Sequence, residues 1–204
     1  TNEPALKAKI GILALQGDFQ EHSSILCSMG CSSVVEVRLP EHLNDIDGLI
    51  IPGGESTTIV KLMDTYGIGE AIRKAYSKGM AVWGTCAGMI MMASEITEND
   101  PVPLEIMDIG VQRNAFGRQI DSFEQELEIT GFDETPYHAI FIRAPVIKRV
   151  GSGVSIMASL QDVRPVAVQQ ANLMATSFHP ELTKDSRFHA HFLNLNSNRT
   201  VNKS

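Results

Sequence analysis

The chain has 204 residues, 43% of them hydrophobic and 20% charged, with a formal net charge of −7. That balance excludes general disorder and suits one α/β domain with a full-sized core. The acidity, with no basic run, speaks against a nucleic-acid surface. No stretch approaches the ~18 apolar residues of a membrane span.

The start, TNEPALKAK, is short and polar and lacks the apolar core of a signal peptide. An organelle address trimmed ahead of Thr1 would leave no trace. Residues 9–15 (KIGILAL) read as a buried strand. Residues 18–30 read as a helix, with Phe19, His22, Ile25, Leu26 and Met29 on one face and Gly30 as its stop. A second strand is expected over 33–38. A third over 47–51 (DGLII) ends at Pro52-Gly53-Gly54, where two glycines allow an unusual backbone and close approach of a ligand. Ser56 or Thr57 is placed to cap the next helix. Helical segments follow over 56–66 and 68–78, broken at Gly67. Residues 80–85 (MAVWGT) form a fourth strand, and 86–94 a buried helix. This alternation predicts a parallel sheet covered on both faces.

The second half changes character. Short strand-like runs at 126–130, 138–143, 154–160, 163–169 and 173–178 predict hairpins added to the sheet. A last helix covers 185–196, and the tail RTVNKS is expected to fray. No repeat, low-complexity segment or linker appears. The expected architecture is a single three-layer α/β domain over 1–204, with its core at about 9–196. Its mostly parallel central sheet carries helices on both faces and antiparallel strands in the C-terminal half.

The chemistry concentrates at two places. Gly84-Thr85-Cys86-Ala87-Gly88 is G-x-C-x-G between a strand and a helix, the cysteine form of a nucleophile elbow. The sharp turn needs small neighbours. The helix N-terminus favours a thiolate, and the Ala87 amide is free to donate to an oxyanion. The bland alternative is a buried structural cysteine beside a tight turn. Near the C-terminus, His179-Pro180-Glu181 puts a carboxylate two residues from an imidazole. In an extended chain, i and i+2 share a face, so Glu181 can orient His179 as a base for the thiol. Standing alone, that tripeptide reads more readily as a turn.

The remaining histidines fare worse. His22 reads as packed, His42 as a loop residue, and His138 opens a strand. His189 and His191 diverge from the last helix. None pairs with a cysteine at metal-ligand spacing, and Gly30 separates Cys27 from Cys31, so no metal site and no cofactor are expected. Three cysteines without a framework indicate a reducing, cytoplasmic setting.

The runs ILALQGDFQEH, GLIIPGGESTT, WGTCAGMI, QRNAFGRQIDSFE, FIRAP and SFHPEL together resemble the glutaminase subunits of pyridoxal 5'-phosphate synthases. These form a branch of the triad-type (class I) glutamine amidotransferases. GTCAG and HPE are shared widely across that superfamily; PGGEST, RNxFGRQ and IRAP are narrower. The resemblance covers nearly the whole chain, weakest over 93–107, and implies the following roles. Cys86 is the nucleophile, His179 the base and acid, and Glu181 the orienter. Gly54 and Ala87 supply the oxyanion amides. Gly54, Glu55, Ser56, Arg113, Ile142 and Arg143 bind L-glutamine, and Gln16 lies near the oxyanion loop and the partner contact. The resemblance also implies a (β/α)₈-barrel synthase partner in a large hetero-oligomer, with ammonia passing inward. Glutamine carries an α-carboxylate that suits an arginine fork and an α-ammonium that suits Glu55. Two rivals are a cysteine peptidase or amidase on a related fold, and a silent subunit that only binds and regulates the synthase.

Overall fold

The computed structural model describes residues 3–98, 104–113 and 122–200. The run 113–124 therefore lies, over 114–121, outside the described residues, as does the tail from 201.

In chain order the elements are α1 (Glu3–Leu6), β1 (Lys9–Leu13), α2 (Phe19–Ser28), β2 (Ser33–Val37), a 3-10 turn (Pro40–Leu43), β3 (Gly48–Ile51), α3 (Ser56–Tyr66), α4 (Ile68–Ser77), β4 (Ala81–Thr85) and α5 (Ala87–Met92). Then come β5 (Ala93–Ile96), β6 (Met107–Gln112), β7 (Ser122–Leu127), β8 (Tyr137–Ile142), β9 (Val146–Val150), β10 (Ser155–Ser159), β11 (Pro165–Gln170), β12 (Leu173–Thr176), a 3-10 turn (Pro180–Leu182) and α6 (Arg187–Thr200).

Seven strands form the central sheet in the order β10-β11-β12-β4-β3-β1-β2. From β12 to β2 all neighbours are parallel, while β10, β11 and β12 pair antiparallel. Strands buried on both faces read as continuous apolar runs, and β3 and β4 are buried at every position. Their alternate side chains serve opposite cores. Leu49, Ile51 and Val82 pack with Ile59 and Met63 of α3, Ile72 of α4 and Met89 of α5. Ile50, Ala81 and Trp83 pack with Leu26 of α2 and Phe188 and Phe192 of α6. The layers are therefore α3, α4 and α5 on one face and α1, α2 and α6 on the other, as the alternation predicts. Gly67 ends α3 in the left-handed region (φ 67°) that glycine enters without strain.

Several details differ from expectation. The buried helix after Cys86 stops at Met92, and 93–96 turn into β5. β5, β6 and β9 form a separate three-stranded sheet with no forecast counterpart. Its strands hide their period: β6 carries Asp108 and Gly110, and β9 carries Lys148 and Arg149. These charges meet across the sheet, where Arg149 donates to Asp108 at 2.7 Å and also to Glu95. β7 begins four residues earlier than expected because it zips onto β8 from Ser122↔Ile142 to Leu127↔Tyr137. That hairpin stands as its own two-stranded sheet. The last helix runs on through Thr200, past the start of the tail expected to fray.

Candidate active site

Parallel α/β sheets place their sites at the carboxyl ends of the strands. Here β1, β3, β4 and β12 lie side by side, and their carboxyl ends lead into Gln16–Asp18, Pro52–Ser56, Cys86 and Ser177–Glu181. Cys86 and His179 are 93 residues apart in sequence. They come together because Thr85 and Thr176 are direct partners in the parallel β4–β12 register.

Cys86 takes φ 52°, ψ −110°, a strained conformation for a residue with a side chain. Its N–H is anchored to the Thr176 carbonyl at 2.8 Å, and α5 begins immediately after it. The flanking glycines are there for steric reasons. A Cβ on Gly84 would stand 2.7 Å from Met92 Sδ and against the Gly88 backbone. A Cβ on Gly88 would run into the Ile51 carbonyl. The strand-to-helix elbow closes only if both lack side chains. The thiol donates to the Ile142 carbonyl at 3.6 Å, and hydrogen bonding to the same sulfur favours the charged form of His179.

His179 Nδ1 is 2.5 Å from Glu181 Oε1, and both residues are buried. The expected cause of this contact needs correcting. The chain is not extended at Glu181. Pro180–Leu182 is a 3-10 turn with Leu182 N–H on the His179 carbonyl at 3.2 Å, and the turn folds the carboxylate back onto the ring. Burial opposes charge on His179. Hydrogen bonds to Asp18, Cys86 and Glu181 outweigh it and hold the imidazole pKa well above its usual range. Burial pushes Glu181 up, and the bond from His179 only partly offsets this.

Asp18 has no role in the sequence reading, yet its Oδ2 lies 3.4 Å from His179 Nδ1. Its pKa is lowered, chiefly by that hydrogen bond. The imidazole thus has a second, half-exposed carboxylate at its side. The available signal was topological, since Asp18 follows the carboxyl end of a parallel strand beside those bearing the loop and the nucleophile. Asp18, His179 and Glu181 offer ligand atoms within 4.8 Å of one another. A metal ion there would displace the proton that the His179–Glu181 pair shares.

The glycine loop is held against this centre. Gln16 Oε1 accepts from Glu55 N–H at 2.8 Å, and Gly53 O accepts from Asp18 N–H at 3.2 Å. A Cβ on Gly53 would meet His179 Cε1 at 2.7 Å, and one on Gly54 would strike the Gln16 amide oxygen. The helix cap differs from expectation. Glu55, not Ser56 or Thr57, caps α3, accepting from Thr57 N at 3.1 Å and from Thr58 N and Oγ1 at 2.7 Å each. Those bonds, Thr58's first among them, pull its pKa down to about 2.

A cleft of about 700 Å³ opens over the sulfur. It is lined by Gly54, Glu55, Ser56, Ala87, Arg113, Ile142 and Arg143 along with Asp18, Cys86 and His179. Arg143 stands on a left-handed residue (φ 46°) just after β8. A slightly larger groove, about 790 Å³ between the Pro40–Leu43 turn and α4, lies away from this chemistry. Of the other histidines, His138 sits between Glu124 and Glu126, and His42 accepts from the backbone of Arg38 and Leu39. His22 and His189 are fully buried behind Glu181. Cys27 is exposed and Cys31 buried, and the two are not joined by a disulfide. Among the described residues no helix is long and apolar enough to cross a membrane.

Residues 12–197 match the model of the SNO glutamine amidotransferase family. The chain is 52% identical over 189 residues to the pyridoxal 5'-phosphate synthase subunit PdxT of Dehalococcoides mccartyi (strain CBDB1), covering 92% of this chain and 96% of that protein. It is equally identical to the PdxT subunit of Herpetosiphon aurantiacus, covering 91% and 99%. A crystal structure of a glutamine amidotransferase superposes with a TM-score of 0.86 at 50% identity, over 92% of this chain and 98% of that one. A putative GMP synthase subunit from Thermoplasma acidophilum shares the fold at 16% identity, with a TM-score of 0.69 over 97% and 98% of the two chains.

Proposed function

Because the chain belongs to the SNO glutamine amidotransferase family, we propose that it hydrolyses L-glutamine to glutamate and supplies the ammonia to a pyridoxal 5'-phosphate synthase partner. The observation that carries this reading is the strained Cys86 at the head of α5, beside a His179 hydrogen-bonded at 2.5 Å to Glu181. The Cys86 thiol passes its proton to His179, the resulting thiolate attacks the side-chain amide carbon of glutamine, and the carbonyl oxygen becomes an oxyanion. The amides of Gly54 and Ala87 receive it. His179 gives its proton to the departing nitrogen, which leaves as ammonia. Water, deprotonated by the same imidazole, attacks the γ-glutamyl thioester, and the sulfur departs as glutamate is released.

Arg113 and Arg143 line the cleft and suit the α-carboxylate of the substrate. Glu55 suits the α-ammonium less well than its charge suggests, since its carboxylate already caps α3. It contributes through the shape of the loop, together with Ser56 and Ile142. Gln16 bridges to that loop, so a partner pressing on residues 16–18 would act on the oxyanion donors. The partner we propose is a (β/α)₈-barrel synthase in a large hetero-oligomer that takes ammonia internally. The free cysteines suit a reducing, cytoplasmic compartment.

The test is ammonia release from glutamine with and without the matching synthase. A strong rise on mixing is the expected result, and Cys86→Ala abolishes it while leaving the complex intact. Peptide cleavage without glutamine turnover would point to the peptidase reading. Complex formation with no turnover under any condition would point to a silent subunit.

A further inference from the structure

Behind the triad lies a second row of buried polar groups that the mechanism does not use. Glu181 Oε1 serves His179, but its other oxygen, Oε2, is buried and has no hydrogen bond among the described residues. His22 of α2 lies beside it, with Nε2 3.4 Å from Glu181 Oε2 and 3.3 Å from Thr85 Oγ1, to which it is hydrogen-bonded. His22 Nδ1 in turn is 2.9 Å from His189 Nε2 on α6. Trp83 walls both rings edge-on, with centroids at 5.6 and 4.8 Å.

We infer that His22 is a positioning residue for glutamine hydrolysis. Its Nε2–H holds Glu181 Oε2, fixing the carboxylate so that Oε1 stays on His179, while His189 sets the tautomer of His22 from behind. The inference rests on Cys86, His179 and Glu181 acting as the triad.

Proton counting carries it. Burial lowers the pKa of His22 well below its ordinary value and that of His189 to about 3, so each ring is neutral with one N–H. Two arrangements can bridge the 2.9 Å contact. In the first, His189 Nε2–H donates to His22 Nδ1, and His22 carries its proton on Nε2, facing Glu181. The group left unpaired is then the His189 Nδ1 lone pair, and that atom has no partner among the described residues. In the second, His22 Nδ1–H donates to His189 Nε2. His22 Nε2 then accepts from the Thr85 hydroxyl, Glu181 Oε2 has no donor, and His189 carries an unpaired buried N–H. The second arrangement leaves two of these buried polar groups without partners among the described residues and the first leaves one, so the first prevails. The 3.4 Å contact needs better alignment to become a full hydrogen bond, which a small rotation of the carboxylate or ring supplies, the kind of tightening seen when a substrate complex forms.

The geometry also explains why an orienting carboxylate needs support from behind. Glu181 stands on a short 3-10 turn rather than on a helix or strand. A carboxylate held by one oxygen is free to swing about its terminal bond; one held by both is not.

The test compares two amides at position 22 in the intact glutaminase assayed with its synthase. His22→Gln extends an N–H donor to the place of Nε2. His22→Asn reaches only to the place of Nδ1, keeping the His189 contact but offering Glu181 nothing. The expected result is a kcat within about twofold of the parent for the Gln variant, and roughly tenfold lower for the Asn variant with KM for glutamine unchanged. Melting curves check that both variants fold. A merely structural histidine would give equal losses in the two variants or none in either, and either outcome overturns the inference. Cys86→Ala separates the two possible failures. Full turnover in that variant removes the triad and the role of His22 with it; no turnover, with equal kcat for Asn and Gln, removes the role of His22 alone.

Discussion

At the scale of single residues, tolerance at the site is set by hydrogen atoms that glycines do not replace. Gly53 faces the imidazole so closely that a methyl group there stands 2.7 Å from His179 Cε1. Gly53→Ala is expected to leave the melting temperature within a few degrees while lowering kcat by about 10²-fold, because a displacement of about an ångström at a reacting group costs that much. Steady-state glutaminase assays alongside thermal melts check it, and an alanine variant of normal activity would show that the ring has room to move. Glu181→Gln keeps the shape of the orienter and removes its charge. Its kcat should fall, but less than that of Cys86→Ala, in the same assay. The nucleophile elbow and the His179-Pro180-Glu181 run were visible in the sequence because both are local: small residues around a cysteine, and a carboxylate two positions from a ring. Asp18 and the His22–His189 pair were not. Their chemistry arises from contacts across 161, 159 and 167 positions (179 − 18, 181 − 22 and 189 − 22). No spacing rule reaches that far.

At the scale of elements, the glycine loop and α3 behave as one unit joined by Glu55. Its carboxylate takes the N–H groups of Thr57 and Thr58, so Glu55→Ala should cost about 1 kcal/mol of stability, the typical worth of a helix cap. Chemical denaturation would measure this. The same change frees the loop beside the cleft, and KM for glutamine is expected to rise with it. Because hydrogen bonds to Thr58 and Thr57 depress this carboxyl from 4.5 to about 2, the cap is fully present above pH 4.5 and is lost as pH falls toward 2. Elements with strong apolar runs were legible to within about two residues: β1 to β4, α3, α4 and β12. β5, β6 and β9 were not, because their charges and Gly110 mask the period of two. Arg149, Asp108 and Glu95 satisfy one another only once the three strands are side by side. Likewise β7 takes its start from its partner β8 and not from its own pattern.

At the scale of the whole molecule, the two buried histidines make the fold sensitive to acid. Both have pKa values depressed by burial, so below about pH 6.5 the unfolded chain binds protons that the native state refuses. The contribution of these two rings is therefore constant above pH 6.5 and erodes as pH falls toward their native pKa values, whereas that of His179, whose pKa is raised, is full below pH 6.5 and is lost as pH rises. Urea midpoints at pH 7 and pH 5 check the sign. His189→Phe should flatten the slope, and an unchanged slope would place the acid sensitivity elsewhere. The layered α/β plan itself follows from strands that alternate between two cores, which is why it could be read from hydrophobic spacing alone. The order of the strands could not, since it depends on which carboxyl ends must meet.

The pairing of β12 with β4 reaches beyond catalysis into synthesis. A ribosome extends the chain from its amino end, so the thiol of residue 86 emerges long before the imidazole of residue 179 has been made. On the proposed triad, the sulfur has no base until residues 173–181 have been made and β12 slides in beside β4. On that reading topology alone keeps a half-made copy from releasing ammonia.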